Sequence, residues 1–320
     1  MSSDANRNNT SLNSPGALSI NSPDDVIKLL RAEKYICERG LATALLLSLR
    51  LCRPLFLEGE PGIGKTELAK VVAGALNRNF LRLQCYEGLD IATSVYEWNY
   101  PRQMAAIRLS ESTLNPDHQH LIDGVFSKDF LIKRPLLKAL EHSDKGAPVL
   151  LIDELDRADA PFEAYLLELM SDFEVTVPEV GTFRTDEPPI IIVTSNRTRE
   201  VHDALRRRCI YHWIDYPTQQ QELEILQTRV PNLPERVSRE LVMFVQILRQ
   251  QDLFKSPGIA ETLDFASALL ELDETELNTA TIKDMLGTLV KYRDDQAKIQ
   301  TGDLDAWIRD ARRFSNPKEL

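Results

Sequence analysis

The chain has 320 residues, 43% of them hydrophobic, which is long enough for two domains with a substantial core. Its 49 acidic and 38 basic residues give a formal net charge of -11. Binding to nucleic acids or anionic membranes depends on neutralising phosphates with lysine and arginine. The charge balance therefore argues against such a surface and favours a protein or small-molecule partner.

The first residues differ in composition from the rest of the chain. Residues 1–22 are rich in serine, asparagine and aspartate and contain few large apolar side chains. Such a segment cannot compensate the entropy lost on ordering, so we predict a flexible tail. A helix is predicted to follow, because a capping hydroxyl, a proline and two acids stand together at Ser22, Pro23, Asp24 and Asp25.

Short apolar runs alternate with helical patterns in the next part of the chain. The runs occupy residues 53–59, 80–85, 148–153, 188–196 and 209–215. Runs that are apolar throughout predict strands covered on both faces, hence a parallel sheet with helices outside it. After Pro217 only helical spacing remains, so we predict an α/β domain over 23–216 and a helical domain over 217–320.

The cysteines and the apolar stretches bear on the cellular compartment. The four cysteines are far apart and form no CxxC pair, which is typical of reduced thiols in a cytoplasm. The N-terminus has no basic segment followed by an apolar run, and the most apolar stretch, from Leu41, is broken by Arg50. We therefore expect a cytoplasmic protein without a membrane span.

The stretch GEPGIGKT fits the P-loop pattern GxxxxGK[ST]. In a P-loop the glycines let backbone N–H groups turn toward phosphate, the lysine reaches the terminal phosphates and the hydroxyl ligates Mg²⁺. A glycine-rich turn before a helix is the alternative, but an apolar run precedes the motif and a good helix former follows it, as a P-loop requires. The residues predicted to bind nucleotide are Gly59, Glu60, Pro61, Gly62, Ile63, Gly64, Lys65, Thr66 and Glu67.

Polar residues at the ends of two later runs complete the predicted site. VLLIDE ends in Asp153, predicted to hold Mg²⁺ with Thr66, and Glu154, predicted to orient the attacking water. Asn196 ends IIIVTSN and is the candidate amide for the γ-phosphate or its water, although asparagine is also a common turn residue at a strand end. No guanine-recognition motif is visible, so ATP is the predicted nucleotide.

These motifs, followed by DALRRRC and a helical segment, resemble in this order those of the AAA+ ATPases. DELDRADAPFEAYLLELM and FEVTVPEVGTF look like the MoxR group. CYEGLD, EWNY, RPLL, FRTDEPPIIIVTSN and PGIAETLDFASAL look like its CoxD branch. The resemblance covers roughly residues 23–300. It implies a three-layer α/β sandwich with a central parallel sheet, followed by a C-terminal all-α lid domain.

The resemblance also implies a role for individual residues. Gly59–Thr66 would be the Walker A loop with Lys65 catalytic, Asp153 and Glu154 the Walker B acids, and Asn196 the first sensor. Arg208, with Arg207 as the reserve, would be the arginine finger that reaches ATP bound to a neighbouring subunit.

Two further positions concern the subunit boundary and the lid. Arg157 matches an arginine at the subunit boundary of the MoxR group. The group's lid motif carries a second sensor arginine where this chain has Gly258, and Lys255 is the candidate replacement.

The implied function is that of an ATP-driven remodelling factor, and the implied assembly is a hexamer that needs ATP and Mg²⁺. Members of this branch are taken to act with a von Willebrand A domain partner to mature a metalloenzyme, such as a molybdenum hydroxylase or carbon monoxide dehydrogenase. The residues themselves support only a protein client. Segment 172–189 carries one arginine, Arg184, against the acids Asp172, Glu174, Glu179, Asp186 and Glu187, where a DNA motor would need lysines. A monomeric P-loop kinase acting on a small molecule, with clustered arginines clamping phosphates in cis, is the alternative.

Two patterns outside the nucleotide motifs allow a functional interpretation. Tyr96, Trp98 and Tyr100 alternate in YEWNY and suit an aromatic grip in a pore, but packing under a loop is favoured. His118 and His120 have an H-x-H spacing without an evident third ligand, so a solvated loop is favoured over a metal site.

Overall fold

The computed structural model describes residues 20–111, 126–141, 143–178 and 180–315. They cluster into two compact units. The first takes the described residues within Met1–Val26, Arg39–Glu58 and Thr66–His212, and the second takes those within Ile27–Glu38, Gly59–Lys65 and Trp213–Leu320. Most of the predicted tail, the pair His118 and His120, and Glu179 of the acidic segment lie outside the described residues.

Nine strands occur in the described residues. They are β1 (Leu55–Gly59), β2 (Phe80–Gln84), β3 (Tyr96–Trp98), β4 (Leu131–Lys133), β5 (Val149–Asp153), β6 (Glu174–Val177), β7 (Gly181–Arg184), β8 (Ile190–Ser195) and β9 (Ile210–Ile214). Five of them form the main sheet in the order β2-β5-β8-β1-β9. The other four pair as antiparallel hairpins, β3 with β4 and β6 with β7.

The helices before β9 are α1 (Pro23–Ala32), α2 (Arg39–Leu51), α3 (Lys65–Ala75), α4 (Ile91–Val95), α5 (Tyr100–Glu111), α6 (Pro135–Lys138), α7 (Ala160–Asp172) and α8 (Asp203–Arg208). After β9 the described chain is helical, with α9 (Gln219–Arg229), α10 (Glu235–Arg249), α11 (Ile259–Glu271), α12 (Thr279–Leu289), α13 (Arg293–Thr301) and α14 (Leu304–Phe314). The predicted fold class is confirmed: a parallel central sheet flanked by helices, followed by a helical region.

The main sheet forms where the sequence has its most apolar runs. Every residue of β1 and β5 is buried, and so are the last five residues of β8, which explains why these runs carry no polar alternation. The pairings of β1 with β8, β5 with β8 and β2 with β5 are parallel. Parallel strands end at the same edge of a sheet, so the residues that follow β2, β5 and β8 converge there.

The helical region has an apolar core of its own. Its wholly buried side chains include Leu241, Phe244, Phe265, Leu269 and Ile282, contributed by α10, α11 and α12. Among the described residues, no helix is both long enough and apolar enough to cross a membrane.

The aromatic alternation of YEWNY is interrupted by the fold. Tyr96 and Trp98 lie on β3, and Trp98 is buried with its ring 5.3 Å from that of Phe126. Tyr100 instead begins α5, next to Pro101, and is exposed. The three rings therefore do not line one strand face, and Trp98 packs in the core as the favoured interpretation expects.

Candidate nucleotide site

The segment between β1 and α3 needs glycine for steric reasons. Gly59 has a φ of 155°, and a Cβ there would lie 2.3 Å from the carbonyl oxygen of Ile214. Gly62 has a φ of 81°, which side chains rarely adopt, and a Cβ there would lie 2.8 Å from a carboxylate oxygen of Glu261. This backbone is the type that turns N–H groups toward an anion. We call residues Gly59–Lys65 the phosphate loop.

Lys65 lies against the loop that it ends. Its side chain is buried, and the ammonium donates to the carbonyl oxygens of Gly59 at 2.6 Å and Glu60 at 2.7 Å. The charge is thereby held at the loop and is not extended into solvent. Of the other predicted contact residues, Gly59 and Ile63 are buried, Glu60 is exposed, and the remainder are partly exposed: Pro61, Gly62, Gly64, Thr66 and Glu67.

The start of α11 packs directly on the phosphate loop. The amide of Ala260 donates to the carbonyl oxygen of Gly62 at 3.1 Å. A Cβ on Gly258 would lie 3.0 Å from that same oxygen and 2.9 Å from the Glu261 carboxylate, which accepts from the Gly258 amide. A side chain in place of the expected sensor arginine would therefore crowd the backbone of Gly62, and glycine avoids this contact.

Lys255, the candidate replacement, precedes this contact. Its backbone amide and that of Phe254 donate to the buried carboxylate of Asp295 at 3.1 and 2.8 Å. The next segment is held by Arg249, which donates to the carbonyl oxygen of Pro257 at 2.8 Å and pairs with the buried Glu222 at 2.7 Å. Arg249 is thus committed to a structural ion pair.

In the first unit, Asp153 at the end of β5 collects four donors. One carboxylate oxygen accepts from the hydroxyls of Thr66 at 3.0 Å and Thr194 at 2.6 Å. The other accepts from Nε and an amino group of Arg82 at 3.0 and 2.6 Å. The carboxylate is 3% exposed, whereas the Arg82 side chain is 46% exposed.

The pair Thr66 and Asp153 suits a hard cation. A hydroxyl and a carboxylate are oxygen ligands of the kind that Mg²⁺ prefers, usually together with phosphate oxygens and waters. Within the described ranges no group of three or more histidine, cysteine, aspartate and glutamate residues could hold a metal by itself. A metal site completed by a phosphate ligand is therefore the one that these residues fit.

Glu154 has an unusual backbone and two side-chain partners. Its φ and ψ are 56° and 50°, the left-handed region, and its amide donates to the Thr194 hydroxyl at 3.0 Å. Its carboxylate accepts from the side-chain amide of Gln84 at 2.9 Å and forms an ion pair with Arg157, whose Nε lies 3.0 Å away. A residue other than glycine in the left-handed region has a strained backbone that surrounding contacts must hold in place, and such residues are common at functional sites. Arg157, the predicted boundary residue, is more than half exposed.

Arg82 and Gln84 are site neighbours that the sequence interpretation missed. They are the two polar positions of FLRLQ, two residues apart and hence on the same face of β2, and Gln84 is in register with Asp153. The polar alternation within this run was the available signal.

Asn196 follows β8 at the same sheet edge as Asp153. Its amide donates to the buried carboxylate of Asp156 at 3.2 Å, and Asp156 also accepts from the amide and hydroxyl of Thr198 at 2.9 and 2.6 Å. The turn that carries Asn196 is thus fixed by one buried acid. The structure brings Thr66, Asp153, Glu154 and Asn196 to one edge of the first unit.

The three arginines at the end of α8 differ in their surroundings. Arg206 lies 3.3 Å from the buried carboxylate of Glu58, and Arg207 pairs with Asp203 at 2.6 Å on the exposed face of α8. The backbone carbonyls of Arg207 and Arg208 accept from Arg53 at 2.6 and 2.9 Å. Arg208 is exposed, and within the described part of the chain its side chain has no hydrogen bond or ion pair.

Comparisons with solved structures find distant similarity to several proteins. A protein of Cytophaga hutchinsonii named as a candidate ATPase is 15% identical, with 90% of this chain and 92% of that chain covered and a TM-score of 0.45. The RuvB Holliday junction branch migration motor of Thermotoga maritima is 18% identical, with 89% and 75% covered and a TM-score of 0.44. No curated protein matches the sequence.

A comparison with protein-family models matches the part of the chain that contains the candidate site residues. Residues 54–209 match the family model described as the AAA domain of the dynein-related subfamily. The matched segment runs from the residue before β1 to Cys209 and includes the phosphate loop, Asp153, Glu154, Asn196 and the arginine run. This segment is therefore similar to the AAA domains of the dynein-related subfamily, a domain class that binds and hydrolyses nucleotides with a divalent metal.

Proposed function

We propose that the protein hydrolyses ATP with Mg²⁺ and uses the energy to remodel a protein client. The observation that carries the proposal is the bond between Thr66 and Asp153. Thr66 directly follows the phosphate loop in the sequence, and carbonyl oxygens of that loop already hold the Lys65 ammonium. Lys65 would exchange the carbonyls of Gly59 and Glu60 for terminal phosphate oxygens. Mg²⁺, held by Thr66 and Asp153 when bound, supplies charge neutralisation at the phosphates.

Glu154 would orient the water that attacks the γ-phosphorus. The bond between that phosphorus and the bridging oxygen breaks in line, leaving ADP and inorganic phosphate, and the carboxylate accepts the proton of the water. Glu154 must first exchange one of its partners, Gln84 or Arg157, for that water. Asn196, at the same sheet edge, would position the γ-phosphate or the water.

We further propose that the active form is a ring, a hexamer by resemblance to other AAA+ proteins, in which Arg208 completes the site of the neighbouring subunit. The exposure of the Arg208 side chain supports a contact outside its own subunit. Arg206 and Arg207 both pair with carboxylates of their own chain, so Arg208 is the member of the run that remains for a phosphate. A single arginine does not form the cluster that would clamp phosphates in a kinase. This disfavours a monomeric kinase with clustered arginines.

The client side of the proposal follows the MoxR and CoxD resemblance. We propose a partner with a von Willebrand A domain and a metalloenzyme client, such as a molybdenum hydroxylase or carbon monoxide dehydrogenase. The hairpin of β6 and β7 supports a protein client and not DNA, because its arginine, Arg184, stands opposite Glu174 in the register. A basic stripe for phosphates is therefore not available on the described part of this hairpin.

Hydrolysis can be tested with the purified chain. Glu154→Gln should bind ATP with Mg²⁺ but hydrolyse it about 100-fold or more slowly, because the water loses its base. Lys65→Ala should lose binding as well. Equal turnover in wild type and Glu154→Gln would refute the assignment of the base.

The partners can be tested with the same variant. Glu154→Gln, which should retain ATP, is expected to co-purify from its native cell with a von Willebrand A domain protein and a molybdenum enzyme. Recovery of unrelated clients would overturn the branch assignment. A strictly monomeric enzyme that transfers phosphate to a small molecule would establish the kinase instead.

A further inference from the structure

We propose that Arg82 occupies the cation position at Asp153 in the nucleotide-free protein and must leave it before a metal can bind. This rests on the proposed function, since the metal is the one expected with ATP. Arg82 is thus a positioning residue that sets how much Mg²⁺ the site requires, and the inference follows from the hydrogen bonds of Asp153.

The carboxylate of Asp153 has no vacant lone pair. An ionised carboxylate offers about four acceptor sites, and two hydroxyls and two N–H groups of Arg82 fill them. A metal ligated by Asp153 has to displace at least one of these donors. Thr66 would itself become a ligand, and Thr194 is buried within β8, so Arg82 is the donor that the metal can displace.

Charge and exposure point to the same residue. Arg82 is the one cation among the three residues that donate to Asp153, and it would repel a divalent ion at close range. Its side chain is 46% exposed, so transfer of the guanidinium to water costs little, whereas a carboxylate that is 3% exposed needs a cation beside it. The charge of Asp153 is therefore neutralised by Arg82 before the exchange and by the metal after it.

Arg82 also connects the two acids. The same guanidinium donates to the side-chain oxygen of Gln84, whose amide nitrogen donates to Glu154. When Arg82 leaves Asp153, Gln84 loses the contact that orients its amide and holds Glu154 less firmly. Binding of the metal is thereby linked to release of the Glu154 carboxylate, which must reorient toward the attacking water.

The test is a Mg²⁺ titration of the full chain with a fluorescent methylanthraniloyl-ADP, which reports binding without hydrolysis. Arg82→Gln should lower the Mg²⁺ midpoint about tenfold, because the competing cation is gone. Arg82→Lys, which keeps the charge but not the two-pronged contact, should give an intermediate midpoint. Arg239→Gln is the matched control, since Arg239 pairs with Glu235 at 2.6 Å on α10 and is similarly exposed, and its midpoint should equal that of wild type.

Thermal unfolding provides a readout without nucleotide. In EDTA, Arg82→Gln should unfold about 2–4 °C below wild type, because Asp153 is buried without a cation, and Mg²⁺ with ADP should restore more stability to the variant than to wild type. An unchanged or raised Mg²⁺ midpoint in Arg82→Gln and Arg82→Lys would overturn the proposal. If wild type itself shows no Mg²⁺-dependent nucleotide signal, the metal site of the proposed function fails, and this inference fails with it.

Discussion

The guanidinium of Arg206 lies 3.3 Å from the carboxylate of Glu58, the residue that directly precedes the phosphate loop. Tyr211 donates to the same carboxylate oxygen at 2.9 Å, and the guanidinium lies 5.1 Å from the centroid of the Tyr211 ring. Burial, and then the bond to Glu58, raise the pKa of Tyr211, so the phenol stays a donor. One arginine of the run on α8 therefore anchors that helix to β1 within the subunit.

Removing this anchor should reduce stability. Arg206→Ala leaves Glu58 buried without its cation, and we expect the free energy of unfolding to fall by about 1–2 kcal/mol, a value moderated by the partial exposure of the guanidinium. Arg207→Ala is the matched control, because Arg207 is 80% exposed and its pair with Asp203 should contribute about 0.5 kcal/mol or less. Urea unfolding of both variants measures the difference. Equal losses would show that the Glu58 contact is not an anchor.

Arg208 should matter for turnover and not for folding. If it reaches ATP in a neighbouring subunit, Arg208→Ala should reduce hydrolysis by ~10³ or more while nucleotide affinity stays largely intact. Arg207→Ala should hydrolyse ATP at nearly the wild-type rate. Steady-state phosphate release and fluorescent-nucleotide binding separate the two effects.

A mixture tests whether Arg208 acts across a subunit boundary. Arg208→Ala retains its own Glu154, and Glu154→Gln retains its own Arg208, so a mixed ring contains some sites with both groups. We expect partial recovery of hydrolysis in the mixture. A mixture that is as inactive as its two components would argue for a role of Arg208 within its own subunit.

The main sheet could be predicted from the sequence because its strands are buried on both faces. β1 begins with the apolar run Leu55–Leu57 and β5 is apolar up to Asp153, so each run indicates a strand and its end indicates the site edge. The glycines of the phosphate loop were equally informative, since the backbone at Gly62 is one that other residues rarely adopt. The sequence was therefore sufficient to predict structure wherever the residues of one segment alone determine that structure.

The contacts that modulate the site could not be predicted, because they depend on the pairing of distant segments. Arg82 meets Asp153 across 71 positions of sequence, and only the register of β2 on β5 places them together. The same holds for Arg206, whose partner Glu58 is 148 positions away. The sequence therefore does not distinguish the three arginines, and the difference between them arises from the packing of α8. The glycine at 258 was visible as a departure, but its reason is the contact of α11 with Gly62.

The buried thiols should make stability decline at high pH. Burial raises the pKa of Cys85 and of Cys209 to about 12 from a usual value of 9.0. The folded protein therefore keeps protons that the unfolded chain releases between pH 9 and 12, and the stabilisation is full below that window and lost through it. Cys209→Ala should make the loss shallower by about 1 kcal/mol per pH unit, measured by urea unfolding at pH 9–11. The exposed Cys52, replaced by alanine, is the control and should alter the slope less.

The contact between α11 and the phosphate loop leads to a prediction about Gly258. Its φ is -84°, which alanine adopts without strain, so Gly258→Ala acts only through the added Cβ, 3.0 Å from the carbonyl oxygen of Gly62. Because that neighbour is backbone, we expect a loss of about 1–3 kcal/mol in unfolding free energy and weaker nucleotide binding as the loop shifts. Gly287→Ala is the matched control: its nearest contact would be Gln296 at 3.8 Å, and a helical alanine there should stabilise by about 0.5–1 kcal/mol. Unfolding measurements should thus show a loss of stability in Gly258→Ala and a gain in Gly287→Ala. Nucleotide titrations should show weaker binding in Gly258→Ala than in Gly287→Ala. If Gly258→Ala were as stable as wild type, α11 would be free to move away from the loop, and the absence of an arginine at this position would have no steric cause.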